Sequence, residues 1–223
     1  IKFGSKLTAE DIAETGGRRA APVAARPVGT GLGTVHSGGA KGADEMFGRI
    51  FSEGGYDVRH YHAEDSPTPA AGQFGIPLTP KQLSQAQGKV IQAGKVLGKN
   101  PPTQTSTRNL IYRNWFQIKD ADQAIVILNN TPLAELSPKG GGSGWAIAMA
   151  MEKGIPIFVF DQTTGVWWTY AGKGAWKRSE RPVPTRSFAG IGTRTANGAA
   201  EAEIVALRDR ERPQGAGFSE TAA

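Results

Sequence analysis

Three glycine-rich stretches hold the residue types from which an anion site is made. They are Ser37-Gly38-Gly39-Ala40-Lys41-Gly42-Ala43-Asp44, Lys139-Gly140-Gly141-Gly142-Ser143-Gly144-Trp145, and Gly190-Ile191-Gly192-Thr193-Arg194. Glycine lets backbone N–H groups approach an anion with no Cβ in the way, and a helix that follows adds its positive N-terminal dipole. The pattern predicts a phosphate cradle. The same residues also serve plain strand-to-helix turns, and none of the stretches matches the Walker sequence or a clean G-x-G-x-x-G.

Other chemistry is thinner. Asp44, Glu45 and Asp161 are carboxylates at or near predicted strand ends, where a general acid or base could act, and the sequence selects none of them. His60 and His62 alternate along a predicted strand, so they share a face. There is no cysteine and no evident third ligand, so the sequence assigns no metal site. Arg113, Asn114 and Gln117 share one predicted helix and face either a cleft or solvent. Trp167, Trp168 and Trp176 read as a cover over a sheet edge, because basic and aromatic residues are not interleaved there as a nucleic-acid platform requires.

The elements around these residues predict an α/β fold. A strand at Thr34-Val35-His36 enters the first glycine stretch. Ala43, Met46, Phe47, Ile50 and Phe51 then recur at helical spacing. A second strand is expected from Asp57 to His62, followed by a long loop from Ser66 to Pro77. One helix is expected from Thr79-Pro80 to about Leu97, and another from about Arg108 to Lys119. The run Ala124-Ile125-Val126-Ile127-Leu128 is apolar without alternation, the mark of a strand buried on both faces. An alanine-rich helix from Trp145 to Lys153 and a strand from Ile155 to Asp161 come next. A small hairpin is expected around Val166 to Tyr170, then a last core strand from Arg186 to Gly190 and a helix through Ala199, Ala202, Val205 and Ala206. Such alternation predicts a Rossmann-like three-layer sandwich, with a mostly parallel central sheet and helices on both faces. All three glycine junctions would fall at the carboxyl ends of the strands.

Ser37 to Asp44 resembles the SGGA(R/K)GAD signature of the YspA/YpsA-like branch of the SLOG superfamily, Rossmann-like proteins related to LOG phosphoribohydrolases and DNA-processing protein A. Phe188 to Arg194 is similar to the G-(S/T)-R strand end that normally opens that domain; here it comes last, which resembles the circularly permuted form found in bacteria and phages. The likeness covers about residues 34 to 209. It implies that Gly38, Gly39 and Gly42 line a phosphate, with Lys41 as a countercharge, Ser37 beside them, and Asp44 capping the helix or reaching a ribose hydroxyl. It also implies ligand contacts from Gly141, Gly142, Ser143 and Gly144, and from Gly190, Gly192 and Thr193, with Arg194 as a second anion contact. Trp145 either stacks on a base or packs in the core. LOG enzymes carry G-G-x-G-T-x-x-E; here tryptophan stands for the threonine and Ala148 for the catalytic glutamate. The expectation therefore leans away from catalysis, with Asp44 and Asp161 as the candidates if there is any.

The chain has 223 residues and a formal charge of +6, with 39% hydrophobic residues and no cysteine. The length predicts one domain (33–211) between an N-terminal arm or linker (1–32) and a C-terminal tail (212–223). The charge is spread thinly, with clusters only at Arg18-Arg19 and Lys177-Arg178-Arg181, so solvated surface is favoured over a nucleic-acid face. No apolar run is long enough to span a bilayer, and a cytoplasmic or, for a phage protein, virion-associated location is expected. The first functional expectation is binding or sensing of a nucleotide-derived, phosphate-bearing ligand of ADP-ribose or NAD type, with no certain cofactor besides. The alternatives are a nucleotide N-glycosidic hydrolase or transferase, and a structural protein of a phage or other large particle. The arm is expected to support a homo-oligomer or larger assembly.

Overall fold

The computed structural model describes residues 31–68 and 72–210. The expected arm, apart from Gly31 and Leu32, and the expected tail lie outside them, as does any assembly through that arm. Strand β1 (Thr34–Ser37) leads through the first glycine turn into α1 (Ala43–Glu53) and then β2 (Asp57–Ala63). A short 3-10 turn precedes β3 (Gly75–Leu78). Helices α2 (Pro80–Ser84), α3 (Gln87–Leu97) and α4 (Thr105–Ile118) carry the chain across to β4 (Gln123–Leu128). One turn of helix, α5 (Pro132–Glu135), comes before α6 (Gly142–Lys153) and β5 (Ile157–Asp161). A hairpin of β6 (Val166–Gly172) and β7 (Ala175–Ser179) follows, and β8 (Ser187–Gly192) and α7 (Gly198–Arg208) close the described chain.

These strands form one eight-stranded sheet in the order β3-β2-β1-β8-β4-β5-β6-β7, in which only β6 runs against the rest, pairing antiparallel with β5 and with β7. The α/β fold with a mostly parallel sheet expected from the sequence is what the chain adopts. Strand β4 shows why a non-alternating apolar run reads as central. Ile125 and Ile127 pack toward α1 and α7, while Ala124, Val126 and Leu128 pack toward α3, α4 and α6, and all five are buried. On the α1 and α7 side Phe47, Phe51 and Phe188 are fully buried, with Phe188 in edge contact with both other rings. Each such side chain stabilises the fold by roughly 1.5–3 kcal/mol through the surface it withdraws from water.

Four expectations need correction. The stretch from Ser66 to Pro77 is not all loop, because β3 pairs parallel with β2 through His60↔Gly75 to Ala63↔Leu78. Its Pro77 is tolerated because an edge strand has a partner on one side only. The helix expected from Thr79 to Leu97 is divided at Gln85-Ala86, where the N–H groups turn to acceptors three residues back, Gln82 O and Leu83 O. That tighter turn buries both Leu83 and Ala86. The helix α5 was not expected; Thr131 caps it and Pro132 occupies its first turn. The last core strand begins at Ser187 and runs on to Gly192, two residues beyond the expected end, because β4 still pairs with it there, Ile127↔Gly192.

The placement of β8 decides where a ligand could go. It is last in sequence yet lies between β1 and β4. Counted with β8 first, β1 and β2 next, and then β4 and β5, the spatial order reads 3-2-1-4-5, the doubly wound order. The sense of winding reverses between β8 and β4, and a crevice opens beyond their carboxyl ends.

Candidate functional site

A cavity of about 720 Å³ occupies that crevice. Leu128, Asn129 and Asn130 border it at the end of β4, and Ile191, Gly192, Thr193 and Arg194 at the end of β8. Helix α4 contributes Arg113, Asn114 and Gln117, and the start of α6 contributes Gly141, Gly142, Ser143 and Trp145. Of the expected ligand residues, Asp44, Gly141, Gly142, Ser143, Trp145, Gly192, Thr193 and Arg194 therefore border one space. Ser37, Gly38, Gly39, Lys41, Gly42, Gly144 and Gly190 are not among its lining.

The first glycine turn folds around a carboxyl group of its own. Asp44 is buried, and its side chain accepts N–H bonds from Gly38, Ala40 and Gly192, the last at 3.0 Å. Arg113, also buried, sets its Nη2 3.7 Å from Asp44 Oδ2 and donates from Nη1 to Gly38 O at 2.6 Å. Burial pushes the Asp44 carboxyl up, against Arg113 and the three amides, and pushes the Arg113 guanidinium down, against Asp44. Gly38 has no room for a side chain here: a Cβ would lie 2.6 Å from both Arg113 Nη2 and Asp44 Oδ2. Gly42 has φ +96°, and its Cβ would meet Thr193 O, the oxygen that accepts the Ala43 N–H at 3.0 Å. Ser37 is buried and donates to Asp44 O at 3.2 Å, Lys41 is exposed, and Gly39 faces His60 and Thr68. The glycines of this turn thus make room chiefly for protein groups.

The third turn is held rigidly and leaves one cation unused. Thr193 N–H donates to Ile127 O at 2.9 Å, and Asn129 donates to the hydroxyls of Thr193 and Thr195 at 3.0 and 2.6 Å. Gln162 donates to Thr195 O at 3.0 Å and to the Asn129 side chain. Between these anchored residues Arg194 is exposed and borders the cavity, and its guanidinium meets no hydrogen-bond or ion-pair partner among the described residues. Gly190 lies away from the cavity, under the ring of Phe47.

At the second turn Glu135, buried and unforeseen from the sequence, borders the cavity and accepts the Gly144 N–H on Oε1 at 3.0 Å. Gly140 presses on the Glu135 carbonyl, Lys99 Nζ donates to Gly140 O, and Asn114 Nδ2 donates to Gly142 O at 3.2 Å. The Gly142 and Ser143 amides find no acceptor among the described residues. Trp145 is 5% exposed and lies over Gly94 of α3, so it packs in the core while bordering the cavity. Glu135 had one signal in the sequence, the Thr131-Pro132 helix start just ahead of it. Arg113, Asn114 and Gln117, left open between cleft and solvent, all border the cavity.

The remaining candidates lie elsewhere. Asp161 is buried at the end of β5, where it accepts from Thr163 N–H at 3.0 Å and Thr164 Oγ1 at 2.8 Å in the turn that follows, and it is not part of the cavity lining. His60 and His62 are both buried, and His62 Nδ1 sits 2.8 Å from Ala63 O. Among the described residues no group of three or more His, Cys, Asp or Glu could hold a metal, and no helix is long and apolar enough to cross a membrane. The aromatic hairpin does lie at the sheet edge: Trp167 packs on Phe160 on one face, and Trp168, Tyr170 and Trp176 pack against the core on the other.

Compared with family profiles, curated proteins and solved structures, the chain matches none.

Proposed function

We propose that the chain binds a phosphate-bearing nucleotide derivative, of ADP-ribose or NAD type, in the cavity between β8 and β4. The observation that carries this reading is Arg194: a guanidinium with no partner among the described residues, on a turn whose neighbours are anchored, at the switch point of a doubly wound sheet. A phosphate is a group that such a cation binds well, through charge-assisted hydrogen bonds. The open amides of Gly142 and Ser143 offer further hydrogen bonds across the same space, and Trp145 offers an apolar edge. The β8-first strand count supports the same reading and the proposed kinship with permuted SLOG proteins. Ala148 stands where a LOG enzyme has its glutamate, which favours binding without turnover.

Calorimetric titration of the chain with ADP-ribose, NAD and AMP tests this, alongside Arg194→Ala. Saturable binding is expected, about 10- to 100-fold weaker in the variant, the range for losing a hydrogen bond to a charged group. Unchanged ligand is expected after long incubation. Absence of binding by the wild-type chain, or equal affinity in the variant, would overturn the proposal.

A further inference from the structure

We infer that the α6 end of the cavity is a sugar-hydroxyl site, in which the Glu135 carboxylate accepts hydrogen bonds from the vicinal diol of a ribose. This rests on the nucleotide reading above and assigns an orientation to the ligand. The argument begins with what is missing at that end. Glu135 Oε1 takes the Gly144 N–H, while Oε2 is taken by no described residue. Beside it the Gly142 and Ser143 amides are open donors. A group that satisfies both must donate and accept at once. A hydroxyl does; a phosphate oxygen only accepts, and a phosphate here would also meet the charge of Glu135. The helix N-terminus that would otherwise attract an anion is thus already supplied with one from within the chain.

Glu135 is itself 7% exposed and borders the cavity, so its open oxygen belongs to that space rather than to bulk water. Arg194 is the cation for the phosphate, and it belongs to the β8 turn rather than to α6. The ligand therefore lies with its phosphate at the end of β8 and its ribose hydroxyls toward α6.

The test compares AMP with 2′,3′-dideoxy-AMP, using wild-type chain and Glu135→Gln. The glutamine keeps an oxygen for the Gly144 N–H and replaces the free acceptor by a donor. Wild-type chain is expected to bind AMP at least about tenfold more tightly than the dideoxy nucleotide. In the variant AMP falls to the dideoxy level and the dideoxy affinity stays within about twofold. Equal affinity of wild-type chain for both nucleotides overturns the diol site and leaves the nucleotide reading intact, with no variant needed. Tighter binding of both nucleotides by Glu135→Gln overturns it too, since that is how a carboxylate repelling a nearby phosphate would behave. If wild-type chain binds neither nucleotide, the nucleotide reading itself falls.

Discussion

Asp44 does for the first glycine turn what a bound anion does in a phosphate-binding loop: it gives the converging N–H groups an acceptor. An asparagine there removes the only carboxylate beside the buried Arg113 guanidinium among the described residues and turns one acceptor oxygen into a donor that faces those N–H groups. Asp44→Asn is therefore expected to lose about 3–5 kcal/mol of unfolding free energy in urea; a loss below about 0.5 kcal/mol would show that Arg113 is adequately solvated through the cavity. His36 gives a pH-dependent counterpart. It is 2% exposed, with Tyr61 Oη and Ser187 Oγ each 3.1 Å from its ring nitrogens, and burial, then Arg59, lowers its pKa from 6.5 to about 4. Above pH 6.5 both folded and unfolded chains hold it neutral. Between pH 6.5 and 4 the unfolded chain takes up a proton that the folded chain refuses, so this residue removes roughly 3 kcal/mol as pH falls through that window. An NMR titration that finds the His36 ring protonating near pH 6.5 in the folded chain would refute this. At this scale the sequence was only half legible. It placed Arg194, Asp44 and Trp145 at the cavity, but a glycine that admits a ligand and one that admits a neighbouring side chain look alike in sequence. Gly38 and Gly190 proved to be of the second kind.

Among elements, α7 is fastened to the hairpin by one carboxylate. Glu203 accepts from Trp167 Nε1 at 2.9 Å and from both Nε and Nη2 of Arg181 at 2.6 and 2.8 Å, so helix, strand β6 and the segment after β7 meet on it. The bond from Arg181 holds the Glu203 carboxyl below its usual range. Its contribution is therefore present at neutral pH and lost as pH falls below about 4.5, the unfolded value. Because Arg181 is partly exposed, Glu203→Ala is expected to cost only about 1–2 kcal/mol at pH 7. The difference from wild type should shrink in acid, and urea unfolding at pH 7 and pH 4 measures both. The long elements were legible because their apolar spacing is dictated by burial: α1, β4, α6 and β5 appear close to where periodicity puts them. The short ones were not. Strand β3 is four residues long and contains a proline, and α5 is one turn, so neither has room for a period to show.

Across the whole molecule, the position of β8 implies that β8 and α7 could equally well come first. Both ends of the described chain meet the turn between α1 and β2. Arg208 of α7 lies 3.8 Å from Glu53, and Gly33 O accepts the Asp57 N–H at 2.9 Å. A chain opened between Glu180 and Arg181, with Arg210 joined to Gly31 by a short glycine-serine linker, keeps every strand pairing and the Arg181–Glu203 bond. Circular dichroism should show the same spectrum and a melting temperature within about 5 °C of wild type, a stability change of roughly 1–2 kcal/mol; failure to fold would refute the equivalence. The natural order has its own consequence for synthesis on the ribosome. Until the last strand emerges, β1 with β2 and β4 with β5 are separate ribbons, each showing an unpaired inner edge toward a vacant slot. The slot is filled only when the end of the domain has been made. Before then the cavity lacks the border that Ile191 to Arg194 give it, so a chain cut short ahead of β8 cannot complete the pocket, and capture of the proposed ligand would report that β8 had been made.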